Sequence, residues 1–209
     1  MITVHAFATP NSLKVPLALE EAGLDYDLVP INIRSGGQKD PAFQALNPNA
    51  KVPVLVEQNG DERFVLTESA AILVWIAEKT GELLPTSGPA RARVFEQLFF
   101  HASGLSPAFG NAGFFQRFAP EPIPIAIERF KGEANRLLDL LDRQLGDMPY
   151  VAGDELTIAD IAHWGWLWRR AFVGVDFAGR DNLARWYAEL EARPAFVRAV
   201  ERTSTLADA

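Results

Sequence analysis

Lys51-Val52-Pro53-Val54-Leu55, followed through a turn at Asn59-Gly60 by Leu66-Thr67-Glu68-Ser69, is the stretch on which the reading of this chain depends. Residues 52–56 and 63–66 read as antiparallel strands around Asn-Gly, a dipeptide that tolerates the positive φ of a tight hairpin. Glu68 then opens an apolar helix over 68–79, with Gly81 as its stop. A strand leading straight into a helix leaves amides beside Glu68 and Ser69 that favour an anion.

Upstream, residues 2–7 and 26–33 read as strands, with a helix over 13–22 between them. Asn11 or Ser12 serves as its cap, Pro16 falls in its first turn and Gly23 ends it. Asp40-Pro41 starts a short helix. Residues 1–80 therefore form an α/β unit with a parallel crossover. Proline and glycine cluster in Leu84-Pro85-Thr86-Ser87-Gly88-Pro89, which reads as a linker.

From Ala90 onward the strand signals stop. Phe130, Ala134, Leu137, Leu138, Leu141 and Leu145 follow helical spacing, a stripe for burial. Leu156-Thr157-Ile158-Ala159-Asp160-Ile161 reads as a capping box with a hydrophobic staple; local hydrogen bonding accounts for both polar residues, so the motif serves folding.

Composition narrows the chemistry. The chain has 209 residues, 48% of them hydrophobic, enough for a sizeable core. Its 20 Lys and Arg against 27 Asp and Glu give a net charge of -7, which argues against a nucleic-acid or anionic-membrane partner. The first thirteen residues carry no Lys or Arg and no long apolar core, so a secretory signal is not expected and a cytoplasmic location is. The longest apolar run, 70–77, falls far short of the roughly 18 residues of a membrane span. With no cysteine, a disulfide framework, a thiolate zinc cluster and a cysteine nucleophile are excluded, and any thiol chemistry must use a sulfur from outside. The histidines His5, His101 and His163 lack metal-ligand spacing, so no metal is expected.

In order along the chain, Thr9-Pro10-Asn11, Asn47-Pro48-Asn49-Ala50-Lys51-Val52-Pro53, Glu68-Ser69, Leu83-Leu84-Pro85 and the capping segment 153–160 together resemble the cytosolic glutathione transferases over essentially the whole chain. Thr9-Pro10-Asn11 with Gly36-Gly37-Gln38 and Ile125-Ala126-Ile127-Glu128-Arg129 is similar to the bacterial nu class. The resemblance implies an α/β thioredoxin-like N-terminal domain at 1–82, a linker at 83–89 and an all-α helical C-terminal domain at 90–209. It also implies glutathione as co-substrate, glutathione-dependent disulfide reduction without an enzyme thiol, and a homodimer contacting through the helix near Glu96 and residues after Glu68. Two positions depart from the class: Ser12 stands where glycine is usual, and Gly113-Phe114 where paired histidines are usual.

Glutathione presents three ends, and the resemblance assigns residues to each. The γ-glutamyl carboxylate suits the start of the Glu68 helix, with Ser69 donating and Glu68 facing the ammonium; alternatively Thr67, Glu68 and Ser69 only cap a helix. The cysteinyl backbone pairs with Val52 like an added strand, beside a cis Pro53 whose isomer follows from the resemblance alone. Gln38 and Lys51 meet the glycine carboxylate, or are ordinary surface residues. A free thiol titrates near ~8.5, and lowering it two units takes about 2.7 kcal/mol of preferential thiolate stabilisation. Thr9 and Asn11 are the catalytic donors for this, Ser12 is another possible sulfur contact, and a purely capping role for Asn11 or Ser12 is the competing reading. Arg129 suits a second glutathione, or pairs with Glu133 on the helix surface. Phe114, Phe115, Phe118, Trp164, Trp166 and Trp168 line an electrophile pocket or belong to the core. Conjugation of glutathione to an apolar electrophile and a non-catalytic glutathione-binding module are the alternatives to disulfide reduction.

Overall fold

The computed structural model describes residues 1–207. The chain divides into two compact units, Met1–Leu83 together with the segment from Ala192 onward, and Leu84–Glu191.

The first unit is built on a four-stranded sheet. The chain runs β1 (Ile2–Ala6), α1 (Pro10–Glu21), β2 (Tyr26–Pro30), a short 3-10 turn (Gly37–Lys39), α2 (Pro41–Gln44), β3 (Val54–Asn59), β4 (Glu62–Thr67) and α3 (Ser69–Thr80). Strand order is β2-β1-β3-β4. β1 lies parallel to β2, with Val4 opposite Leu28, because α1 carries the crossover. β1 and β4 both run antiparallel to β3, which pairs Leu55 with Val4 on one side and Leu66 on the other. Asn59 and Glu62 form the closing pair, so Gly60 and Asp61 make the two-residue loop; Gly60 takes the positive φ of 59° that such a turn needs. This is the thioredoxin-like arrangement expected of the first half.

α1 is buried on every side, from Ser12 through Leu19. Packing against β1, α3 and α10 (Pro194–Ser204) accounts for this. α10 contributes the stripe Ala195, Phe196, Ala199 and Thr203. Its arginines hold the C-terminal end of α1, together with Arg193 just before it: Arg193 forms a bidentate pair with Glu21 at 2.6 and 2.8 Å, and Arg198 and Arg202 bond Glu20 at 2.7 and 3.2 Å. Burial works against the Glu20 charge, but donors from Arg198, Tyr26 and Arg202 outweigh it and lower the carboxyl's pKa. These bonds return the last helix to the first unit, whereas the expected division at 90–209 places it with the helical domain.

The second unit contains α4 (Gly88–Phe100), a π-helical turn (His101–Leu105), α5 (Ser106–Arg117), α6 (Pro124–Asp147), α7 (Ile158–Leu167), α8 (Arg170–Val173) and α9 (Asp181–Glu191). α6 buries Ala134, Leu137, Leu138, Leu141 and Leu145, the stripe read from its spacing. α7 is buried along its whole length. Asp160 sits at its start without solvent exposure and accepts from Val151 N, Thr157 N, Thr157 Oγ1 and Trp186 Nε1 at 2.9 to 3.0 Å. Thr157 Oγ1 accepts from Ala159 N at 3.3 Å. The capping box is thus extended by Val151 and Trp186, partners no local pattern contains.

Local boundaries differ from expectation where proline sets them. Pro10 occupies the first helical position, so Thr9, and neither Asn11 nor Ser12, caps α1; Pro16 falls inside the helix instead of its first turn. Gly88 and Pro89 open α4 and so leave the linker. Val52 and Pro53 precede β3 rather than beginning it.

Candidate active site

In the first unit, the candidate residues lie at the starts of α1 and α3 and in the loops before α2 and β3. α1 begins with Thr9 as N-cap; its hydroxyl accepts from Ser12 N at 3.2 Å and donates to Ser12 Oγ at 3.0 Å. Thr9 is therefore spent on the cap. Ser12 Oγ also accepts from Phe7 N at 3.4 Å, and Ser12 is fully buried. A ligand sulfur has no access to it, which corrects the reading of Ser12 as a sulfur contact. Asn11 is half-buried, and its Oδ1 accepts from Lys14 Nζ at 2.8 Å. That bond fixes the carboxamide's polarity, with the carbonyl toward Lys14 and the NH2 on the opposite side.

α3 begins beside it in the same network, because Lys14 Nζ also reaches Ser69 Oγ at 3.5 Å. Glu68 is the N-cap residue of α3, with φ 66° and ψ 111°, and its side chain makes no capping bond. A non-glycine residue at positive φ costs on the order of 1–3 kcal/mol, a cost that persists where the backbone has a task. Here the consequence is a helix start whose amides are not closed by the Glu68 side chain, suited to an anion. Thr67 pairs with Val54 in the sheet and has no capping part.

The loop before β3 is braced by buried Asn47, whose Nδ2 donates to Lys51 O at 2.7 Å while its Oδ1 accepts from Asn49 N at 3.0 Å. Ala50 adopts a φ of 53°, and the Val52-Pro53 bond is cis, as the resemblance implied. The Val52 side chain packs with Phe43, Val54 and Val56. Its amide and carbonyl pair with no other backbone group among the described residues, the arrangement an incoming extended peptide uses. Lys51 is exposed. Gln38 carries a buried Oε1 with no hydrogen-bond partner, an open polar position in the turn after Gly37.

Arg129 belongs to the second unit and is exposed on α6. The surface pair expected with Glu133 is taken over by Arg136, which binds that carboxylate at 2.7 and 2.8 Å. The aromatic residues divide. Trp164 and Trp166 are core, donating to Tyr187 O at 3.3 Å and Ser106 Oγ at 2.8 Å. Phe115 stacks on Phe130 at 5.5 Å. Phe114 and Phe118 are exposed. A side chain at Gly113 would place its Cβ 2.0 Å from the Phe172 ring, so Phe172 occupies the space a larger residue at that position would use.

Lys14 was not anticipated from the sequence. It is 1% exposed, and burial brings its pKa down to about 7, with the nearby Glu68 charge pulling upward. Among the described residues no group of three or more His, Cys, Asp and Glu is placed to hold a metal, and no helix is long and apolar enough to cross a membrane.

Known proteins match this chain in sequence and fold. Family models described as the glutathione S-transferase N-terminal and C-terminal domains match residues 8–79 and 124–189. The disulfide-bond oxidoreductase YfcG of Escherichia coli K12 is 39% identical over 200 residues, 93% of this chain and 92% of that protein. The disulfide-bond oxidoreductase YghU of the same organism is 37% identical, over 97% of this chain and 76% of its own length. A crystal structure of a glutathione transferase family member from Pseudomonas fluorescens pf-5, with two glutathione bound, superposes with a TM-score of 0.89 at 35% identity, over 96% of this chain and 92% of that one. Agreement of sequence in both halves, and of structure along almost the full length, makes this chain a member of the glutathione S-transferase family.

Proposed function

We propose that the protein binds glutathione, activates its thiol and uses it to reduce disulfides, as a nu-class enzyme. The observation that carries this is the joint in the first unit: the starts of α1 and α3 share one network through Lys14, next in sequence to a strand pair preceded by an unpaired Val52 backbone. The γ-glutamyl carboxylate takes the α3 amides and the Ser69 hydroxyl, Glu68 takes the ammonium, and Val52 after its loop pairs with the cysteinyl backbone. Gln38 and Lys51 serve the glycine carboxylate. Asn11 donates through its amide nitrogen to the sulfur, while Thr9 holds the helix start in place. Arg129 is offered to a second glutathione.

The chemistry balances without an enzyme sulfur. A glutathione thiolate attacks one sulfur of a disulfide RSSR′, forming GSSR and releasing R′S⁻, which takes up a proton. A second glutathione thiolate attacks the glutathione sulfur of GSSR, giving GSSG and RS⁻. Two thiols are oxidised and one disulfide is reduced. For disulfide reduction, the absence of cysteine requires a route of this kind, in which every exchanging sulfur arrives with a ligand. The similarity to YfcG and YghU, both named disulfide-bond oxidoreductases, favours reduction over conjugation.

Conjugation is the second reading, supported by exposed Phe114 and Phe118 on and after α5, an apolar surface of use to a carbon electrophile. Assaying a small mixed-alkyl disulfide beside an aryl halide, each with glutathione, separates the two. Preferential disulfide turnover is the expected result, preferential halide turnover selects conjugation, and glutathione binding without either selects a binding module.

The expected division at 1–82, 83–89 and 90–209 serves as the functional partition except that Gly88 and Pro89 belong to α4 and α10 belongs with the first unit, where it braces α1. A homodimer in the cytoplasm completes the proposal. Phe99, 65% exposed, offers apolar surface on the helix near Glu96 assigned to the dimer contact, and Phe64, 42% exposed on the neighbouring strand, stacks at 5.8 Å on Trp75 of the segment after Glu68.

A further inference from the structure

We propose that Lys14 is the positioning residue of the glutathione site, orienting the Asn11 amide toward the sulfur and the Ser69 hydroxyl toward the γ-glutamyl carboxylate from beneath both. The inference rests on the glutathione reading above and assigns a role to a residue that never touches the ligand.

The geometry is specific. Lys14 lies one turn after Asn11 on α1, and its ammonium donates to Asn11 Oδ1 at 2.8 Å and, across to α3, to Ser69 Oγ at 3.5 Å. Asn11 and Ser69 are the residues given to the two chemically distinct anions of the ligand, the thiolate and a carboxylate. An ammonium has three donors and no acceptor. The Asn11 carboxamide must therefore present its oxygen to Lys14, which turns its NH2 outward as a donor. Ser69 Oγ, accepting from Lys14, has its own proton left to give to the carboxylate.

Position within the fold explains why a lysine is needed. α1 has no solvent face between Ser12 and Leu19, so the side chain cannot carry its charge to water along its stem. A packing role would be met as well or better by an uncharged chain of the same length, since desolvating an ammonium is costly. The lysine instead places one positive charge below two ligand anions, with Glu68 the carboxylate that acts on it from the N-cap of α3. Charged residues of the neighbouring α10 are engaged at the opposite end of α1, with Glu20 and Glu21. When thiolate and carboxylate arrive they stabilise the protonated lysine, and the lysine stabilises them in turn.

The test uses Lys14→Met, which keeps length and removes charge, and Lys14→Gln, which keeps a donor for Asn11 without charge. S-methylglutathione binding, followed by calorimetry, reports the tripeptide site without a thiol; ultraviolet titration of bound glutathione reports the thiol pKa. The expected result is a bound-thiol pKa raised by about one unit in Lys14→Met, a roughly ten-fold fall in the thiolate-to-thiol ratio at any given pH. The Gln variant falls between it and wild type, and S-methylglutathione affinity drops several-fold in the Met variant through the Ser69 arm. Should Lys14→Met not fold, the Gln variant decides alone by the same shift. Wild-type thiol pKa and affinity in the folded variants would show Lys14 to be merely structural and overturn the inference. Failure of wild type itself to bind S-methylglutathione would instead remove the glutathione reading on which it stands.

Discussion

At the scale of single residues, the folded protein spends stability on Lys14 and regains it elsewhere. Its pKa of about 7 when folded lies below that of an exposed lysine, so above pH 7 the unfolded chain binds more protons than the folded one. Stability contributed by this residue therefore rises as pH increases from about 7 toward the unfolded value, by up to about 1.4 kcal/mol per pH unit for one proton. Urea unfolding midpoints of wild type and Lys14→Met between pH 7 and 9 should diverge in favour of wild type as pH rises; parallel profiles would mean the amine is not desolvated as the structure has it. Asp160 is the complementary case. Burial pushes its carboxyl pKa up while four donors pull it down, and those donors have no substitute partner if it is removed. Asp160→Ala should cost about 3 kcal/mol in equilibrium unfolding, whereas a loss under about 1 kcal/mol would mean the network relaxes onto water. These two residues also mark the limit of sequence reading. Asp160 was legible as a helix cap because its main bond is three residues away, but Trp186 at 26 residues' distance was not. Lys14 was missed because lysine is by default a surface residue. The available clue was that it is the only charge between Asn11 and Leu19, in a helix lacking a polar stripe.

At the scale of elements, the strands and helices of the first unit followed from alternation and punctuation, because Asn59-Gly60, Gly23 and Gly81 mark turns whose glycines take positive φ in the structure. Cap positions were less legible: whether Thr9, Asn11 or Ser12 caps α1 depends on Pro10 taking the first helical place. That choice sets which side chains the cap occupies: Thr9 and Ser12 bond one another, while Asn11, no longer a cap, bonds Lys14. The return of α10 to the first unit was not legible, since its amphipathic stripe fits any apolar surface and only the folded packing identifies α1 as its partner. Phe196 is fully buried at the centre of that stripe. Phe196→Ala should destabilise by about 3–5 kcal/mol, read by thermal or denaturant unfolding; a change within about 1 kcal/mol would show that α10 is a loosely held tail. The Glu20–Arg198–Arg202–Tyr26 cluster at the same junction is partly exposed and adds orientation more than energy.

At the scale of the whole molecule, a chain without cysteine belongs to a family with members that bind a thiol tripeptide, and all its candidate glutathione residues except Arg129 lie on the first unit. Oligomeric state bears on this because exposed Phe64 stacks on half-buried Trp75 at the surface of the first unit. If the proposed dimer forms through this surface, Phe64→Glu should shift it toward monomer in sedimentation analysis; a dimer indifferent to the change would place the contact elsewhere, and a wild-type monomer would remove the dimer proposal. The substrate side is the least legible part of the sequence. Gly113 and Phe114 stand where the resemblance leads to an expectation of paired histidines, and Phe172, nearly sixty residues later, fills the space beside Gly113. No local signal announced that contact. The central claim is that glutathione supplies the sulfur and Asn11 its activation. The most direct measurement is steady-state reduction of a small mixed-alkyl disulfide by glutathione, for wild type and Asn11→Ala. Turnover by wild type that falls about ten-fold or more in kcat/KM in the variant, with S-methylglutathione binding retained, is the result this account predicts. Absence of turnover in wild type, or equal turnover in both proteins, would contradict it.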